Sequence, residues 1–330
     1  MKKILAVTLC LVCVLSMVLA VGCNKKDGLT KVTVNEVTHS VFYAPQYVAL
    51  NMGFFEEEGL KIDFATGEGA DKVMAAVLSG SVDIGFSGPE AAIYVYNEGK
   101  EDYPVVFCQL TRRDGAFLLS RNPEPDFEFS DLEGKHILPG RRGGVPFMTF
   151  EYILRQNGIN PETDLNFDDS IQFSMLAGAF TGGTGDYVAL FEPTASALEK
   201  EGVGYIVASI GEAGGDIPYT AYYAKKSFIE KNPDVIQRFT NAVYKAQKWV
   251  MEHTDREVAE VIQPSFPDTD TDLLTTVVGR YRSIDAWCDT PAMNPESFTR
   301  LQEIISSSGE LADFVPFEKV VDNSFAEKVR

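Results

Sequence analysis

The sequence predicts an α/β protein of two lobes, each built on a mostly parallel sheet flanked by helices. Short apolar strands alternate with helical segments over most of the chain, the pattern of βαβ units. A Pro- and acid-rich link, Asn122-Pro123-Glu124-Pro125-Asp126, interrupts that alternation, and an extended run from Ile217 to Ala224 leads back to the first lobe. A length of 330 residues agrees with two domains at roughly 150 residues each. With 45% apolar and 23% charged residues the composition is globular. The net charge of −19 argues against nucleic acid, which needs a clustered basic surface. A self-similar period of roughly 20–50 residues is absent, which argues against a solenoid.

Lys31 to Val37 alternates apolar and polar residues and reads as a strand. The loop from His39 to Pro45 leads to a helix through Tyr47 and Leu50 that stops at Gly53, then to a strand at Lys61–Phe64. A helix at Asp71–Leu78, a strand at Val82–Phe86 and a helix opened by Gly88-Pro89 follow, then strands at Val105–Leu110 and Ala116–Leu119. Past the link, a turn of helix at Ser130 feeds a strand at Ile137, and Gly140–Gly144 precedes a helix to Asn157. Strands are expected at Ile171–Phe173, Asp186–Phe191 and Tyr205–Ala208, with helices at Met175–Phe180 and from Glu192-Pro193. The strongest helix is Asn232–Glu252, with Asn232 placed to cap, Pro233 at the first helical position and apolar residues at three-four spacing. The remainder reads as short helices with Pro-rich joints.

The N-terminus reads Met1-Lys2-Lys3 and then an uncharged, mostly apolar run from Ile4 to Gly22, a secretory signal pattern. The rival is an uncleaved spanning helix. Leu19-Ala20-Val21-Gly22-Cys23 resembles the bacterial lipobox, with Ala20 where Leu is more usual. The resemblance implies cleavage before Cys23, a lipid on its sulfur and a soluble body tethered to the membrane. Of five cysteines only Cys108 and Cys288 then remain in the body, and two buried, unpaired thiols are preferred over a bridge. The expected organisation is a signal peptide at 1–22, a lipidated tether at 23–30, one lobe from 31–119 with 222–330, and the other from 120–221.

Several segments together resemble the solute-binding lipoproteins of bacterial ABC importers for nitrate, sulfonates, taurine and thiamine-pyrimidine precursors. They are Pro45 through Leu60, Leu78-Ser79-Gly80-Ser81-Val82-Asp83-Ile84-Gly85, Asp131-Leu132-Glu133-Gly134-Lys135, Gly185-Asp186, Phe191-Glu192-Pro193 and Tyr222-Tyr223-Ala224-Lys225-Lys226. The resemblance implies the type II periplasmic-binding-protein fold, two lobes joined by two crossover strands and closing on a small ligand. It also implies an ABC permease as partner, no cofactor, and export to the outer face of the cytoplasmic membrane or the periplasm. A monomer is expected.

In open α/β sheets ligands sit beyond the carboxyl ends of the strands, and four loops have that address. Ser40, Phe42 and Tyr43 follow the first strand, where the aromatics either clamp a ligand or pack beneath the next helix. Ser87, Gly88 and Glu90 open a helix, where Glu90 either meets ligand or serves the helix dipole. Arg142, Gly143 and Gly144 form a glycine loop that lacks the Lys-Ser/Thr ending of a nucleotide-binding loop; its arginines either pair with a ligand anion or stay exposed. Asp186 and Glu192 are carboxylates able to accept from an amine or aminopyrimidine, Glu192 being preferred against a role as a helix cap. The run Thr111-Arg112-Arg113-Asp114, just before the crossing, completes the plausible set, with Thr111 the residue chosen from it. Carboxylates with arginines suit an aminopyrimidine or a zwitterion such as taurine better than nitrate.

The enzyme class is disfavoured. Gly85-Phe86-Ser87-Gly88-Pro89 lacks the last glycine of a nucleophile elbow. His39, His136 and His253 have no metal-ligand spacing, and no metal is expected. Asp268, Asp270 and Asp272 lack the Gly and Glu of a calcium loop, so helix capping explains them better. Fungal members of the broad family that make the thiamine pyrimidine carry a cysteine cluster, and none stands here. A sensory partner of a receptor is the remaining alternative.

Overall fold

The structure, a computed structural model, describes residues 28–329. The apolar leader and Cys23 lie outside the described residues. Ten strands form two five-stranded sheets. They are β1 (Thr30–Glu36), β2 (Leu60–Thr66), β3 (Ile84–Ser87), β4 (Pro104–Thr111), β5 (Ala116–Ser120), β6 (His136–Leu138), β7 (Asn166–Phe167), β8 (Tyr187–Phe191), β9 (Tyr205–Ser209) and β10 (Thr220–Lys225). The first sheet has the order β2-β1-β3-β10-β4 and the second β7-β6-β8-β5-β9. In each, four strands run one way and the fourth strand in the order runs against its neighbours: β10 in the first sheet, β5 in the second. That antiparallel strand is the one by which the chain enters the sheet from the other, so the two halves share one topology.

The pattern of burial explains the strands. All eight residues of β4 and all five of β5 are buried, as expected where helices cover both faces of a sheet. Along β5 and β8 the period of two divides the apolar residues between two cores. Phe117, Leu119, Val188 and Leu190 join the large cluster that also holds the first sheet. Ala116, Leu118, Tyr187 and Ala189 pack with Phe150 and Leu154 in a second. The helix Pro233–Glu252 buries Ile236, Phe239, Val243, Ala246 and Val250 along one face. Asn232, however, does not cap it: its side-chain amide donates to the Phe228 carbonyl at 3.0 Å.

Two sequence expectations about strands differ from the structure. Ile171–Phe173 is not a strand; β6 offers partners only to Asn166 and Phe167, after which the Asp168 carboxylate accepts the Ser170 N–H and turns the chain. Ala116–Leu119, expected in the first lobe, pairs instead with β8 and β9. The chain has already crossed at residues 112–115, where Asp114 Oδ1 accepts the Ala116 N–H at 2.7 Å and starts β5. It returns between residues 210 and 219, and the two crossings are tied by hydrogen bonds from Ile217 N and Tyr219 N to the carbonyls of Arg112 and Thr111. Gly211 lies against this junction: a Cβ there would stand 2.0 Å from the Asp114 carbonyl oxygen. Backbone cannot yield as a flexible side chain does. Gly211→Ala should therefore lower the unfolding free energy by about 1–3 kcal/mol, read from the urea midpoint; an unchanged midpoint would mean the crossings are not packed this closely.

Candidate functional site

Strand register decides which residues meet. Thr111 at the carboxyl end of β4 is paired with Thr220, and Ser87 at the carboxyl end of β3 with Ala221. In the second sheet Ala116 lies beside Phe191, the last residue of β8. The start of each antiparallel strand thus sits at the carboxyl ends of its neighbours, and both crossings bring their residues to the same place. The two sheets touch there. The Ser40 hydroxyl, following β1, donates to the Glu192 carbonyl at 3.1 Å, and the Glu192 N–H donates to the Tyr281 hydroxyl at 3.1 Å.

At this junction lies a group of buried polar side chains with unused atoms. Glu90 is 4% exposed and Asp114 is fully buried. Glu90 Oε2 and Thr111 Oγ1 are buried without a hydrogen-bond partner, and Asp114 Oδ2 and the Tyr219 hydroxyl have none but each other. Burial disfavours the charged carboxylate and pushes both acids up to about 7. The Ala116 N–H and the Tyr219 hydroxyl on Asp114, and the backbone N–H of Glu90 with the charge of Arg141 on Glu90, oppose that rise only in part. The Tyr43 hydroxyl stands beside Thr220 and feels both acids, as does Tyr219; burial raises both phenols well above their ordinary range. Gly88 is required by this arrangement, because Glu90 folds back so far that a Cβ at Gly88 would stand 1.9 Å from Oε2.

The other sequence-selected residues have different surroundings. Phe42 is wholly buried in an aromatic cluster with Tyr43, Phe191, Tyr219 and Tyr281. The Ser87 hydroxyl is 2.7 Å from that of Tyr223. Glu192 is buried and fully engaged. Its Oε1 accepts from Ser196 Oγ at 2.6 Å and Arg280 Nη1 at 2.9 Å, and its Oε2 accepts the Ser196 N–H at 2.8 Å. The cap reading describes it, with an ion pair added. Arg142 is exposed and paired with Asp169 at 2.6 Å. Gly143 and Gly144 are half-buried at the start of the helix Val145–Gln156. Asp186 is exposed at the opposite, amino-terminal end of β8, where it accepts the His136 N–H. It does not join the group, because β8 meets the junction with its carboxyl end and Asp186 precedes its amino end.

Ser40 and Glu192 line a cavity of about 170 Å³ together with Thr38, His39, Phe173 and Phe191. A larger groove of about 590 Å³, between Arg112, Asp216, Asp289 and Arg300, lies on the crossings and the helix Pro295–Ser307 and takes in Arg112 and Arg113 of the selected run Thr111–Asp114. Each histidine has a protein partner: His39 bridges Glu36 and the Ser265 carbonyl, His136 meets Asp168, and His253 contacts the Trp249 carbonyl. Asp270 caps the helix Thr271–Ser283 through the Leu273 N–H. Cys108 and Cys288 are free and buried. Sequence reasoning included Asp114 only within the run Thr111-Arg112-Arg113-Asp114 and passed over Tyr219, although its position beside a crossing was a usable signal.

Residues 29–263 match the NMT1-like family. The binding protein YtlA of Bacillus subtilis (strain 168) is 44% identical over 308 residues, which cover 93% of this chain and 92% of that protein. The taurine-binding periplasmic protein of Escherichia coli (strain K12) is 24% identical over 59% of each chain. Among solved structures, the alkanesulfonate-binding protein SsuA from Xanthomonas axonopodis pv. citri superposes with a TM-score of 0.71 over 89% of this chain and 98% of that one, at 14% identity. That likeness establishes the periplasmic-binding-protein fold. The chain belongs to the NMT1-like family, and so to the solute-binding proteins of ABC importers that its sequence motifs resemble.

Proposed function

We propose that this protein is an extracytoplasmic lipoprotein that captures a small nutrient between two lobes and delivers it to an ABC permease. One lobe surrounds each sheet, and the crossings at residues 112–115 and 210–219 act as the hinge. The observation that supports this best is the meeting of the two sheets at their carboxyl ends, where Ser40 and Tyr281 bond the backbone of Glu192. Arg280 adds a latch: from the helix Thr271–Ser283 it reaches Glu192, Glu199 and Ser196 beyond β8. The ligand is of the aminopyrimidine thiamine-precursor type or the sulfonate and taurine type. The named taurine- and sulfonate-binding relatives support the second. Two fungal relatives, 4-amino-5-hydroxymethyl-2-methylpyrimidine phosphate synthases 25% and 22% identical over 64% and 62% of this chain, support the first as a ligand class. Binding rather than catalysis is proposed, because the relative matched over 93% of this chain is a binding protein whereas the synthases match at 25% identity or less.

A ligand that binds only the folded, closed form stabilises it by about 2.7 kcal/mol at 100 times its dissociation constant. A thermal-shift panel of aminopyrimidines, taurine, alkylsulfonates and nitrate should therefore contain at least one compound that raises Tm; a panel without effect removes the proposal. Arg280→Ala leaves the buried Glu192 carboxylate without its cation and should lower stability by about 1.5–3 kcal/mol, measured by urea unfolding. Cys23→Ala should release the protein from the membrane fraction of expressing cells, whereas retention would support a spanning anchor.

A further inference from the structure

We infer that Glu90 and Asp114, with Thr111 and the hydroxyls of Tyr43 and Tyr219, form a site for a small organic cation bearing several N–H donors, a protonated amine or an amidinium. The inference rests on the solute-capture reading above and goes beyond it by naming the ligand's charge and its receiving atoms.

Three observations carry it. First, the two carboxylates come from different parts of the chain, Glu90 from the helix after β3 and Asp114 from the first crossing, and the register that pairs Ser87 with Ala221 and Thr111 with Thr220 brings them to the same strand ends, beside Tyr219. Second, their spare atoms are acceptors or hydroxyls: Glu90 Oε2 and Thr111 Oγ1 are buried and unpartnered, and Asp114 Oδ2 and the Tyr219 hydroxyl have none but each other. A buried acceptor left unpaired costs about 1–3 kcal/mol, so such acceptors gathered at one strand end form a set complementary to a ligand rich in donors. Third, the nearby guanidiniums are already committed. Arg112 and Arg113 both bond Asp216, Arg142 bonds Asp169, and Arg280 bonds Glu192 and Glu199. An anionic solute would meet two buried acids here instead of a free cation. Arg141, exposed in the glycine loop, is the one guanidinium that acts on Glu90, and it sits at the rim.

Proton release accompanies such binding. The groups facing Glu90 are Tyr43, Tyr94, Tyr219, Tyr223 and Arg141, and those facing Asp114 are Tyr43 and Tyr219. Without ligand, burial holds both acids near 7, so at pH 6 they are mostly protonated. A cation stabilises the ionised form and expels the proton, so its affinity rises with pH. The sign for folding is the reverse. A carboxyl whose folded pKa lies above its unfolded value contributes stability below the unfolded value, and that contribution is lost as pH rises toward 7.

Isothermal titration calorimetry of the mature chain with methylammonium, acetamidinium, nitrate and methanesulfonate, at pH 6 and pH 8, tests this. At least one of the two cations should bind, about tenfold or more tightly at pH 8 than at pH 6, with proton release visible as a dependence on buffer ionisation heat. Glu90→Gln and Asp114→Asn should each weaken that binding about tenfold or more. Neither should melt below the parent at pH 8, because the parent must then bury ionised acids. Binding of nitrate or methanesulfonate but neither cation overturns the inference and leaves solute capture intact. So does cation binding that both variants retain. Binding of none of the four probes also overturns it, and the broader thermal-shift panel then decides whether solute capture falls as well.

Discussion

Where the two sheets meet, polar groups at the carboxyl ends of strands are taken out of water, and each must find a partner or carry a cost. Buried carboxylates meet that constraint in three ways in this protein. Glu36, at the end of β1, meets Gln46, Tyr47, Thr66 and His39 within 2.6–3.0 Å. Glu192 accepts from Ser196 and pairs with Arg280, so that one acid serves both a helix start and the seam between the sheets. Glu90 keeps an oxygen with no partner, and Asp114 one with none but the Tyr219 hydroxyl. The first two acids are structure. The last two, like Glu151 on the helix Val145–Gln156, keep a carboxylate oxygen open in the interior.

The topology explains why those open groups lie together. Each sheet receives the chain through an antiparallel strand, β5 or β10, set among strands that run the other way. An antiparallel strand begins where its neighbours end. Residues just ahead of β5 and β10, Asp114 and Tyr219, are therefore delivered to the carboxyl ends of β8, β3 and β4 without any loop having to reach. The hydrogen bonds of Ile217 and Tyr219 to the first crossing join the two delivery points into one short ribbon.

Much of the architecture was legible from periodicity. Strands such as Lys31–Val37 and Val105–Leu110 were recognisable from apolar patterning and β-branched content, and the helix Pro233–Glu252 from its three-four spacing and Pro233. Candidate loops were placed by the rule that α/β sheets bind at carboxyl ends, which brought in Ser40, Tyr43, Ser87, Glu90, Thr111 and Glu192. The errors were of two physical kinds. Local patterning cannot tell which sheet a fully apolar strand such as β5 will join, since both of its faces are buried. Nor can it tell what a carboxylate bonds, as the preferred Glu192 shows: Arg280, which engages it, is 88 positions away.

The sequence by itself determined the order of strands and helices, the two-part plan and the acidic composition, because these follow from near-neighbour patterning and residue chemistry. Only the tertiary structure decided which acids are satisfied and which are not, because that depends on donors brought from distant parts of the chain. Asp114 shows the division. In sequence it is one acid after two arginines; in the fold those arginines turn to Asp216, and Asp114 is left buried with an oxygen to offer.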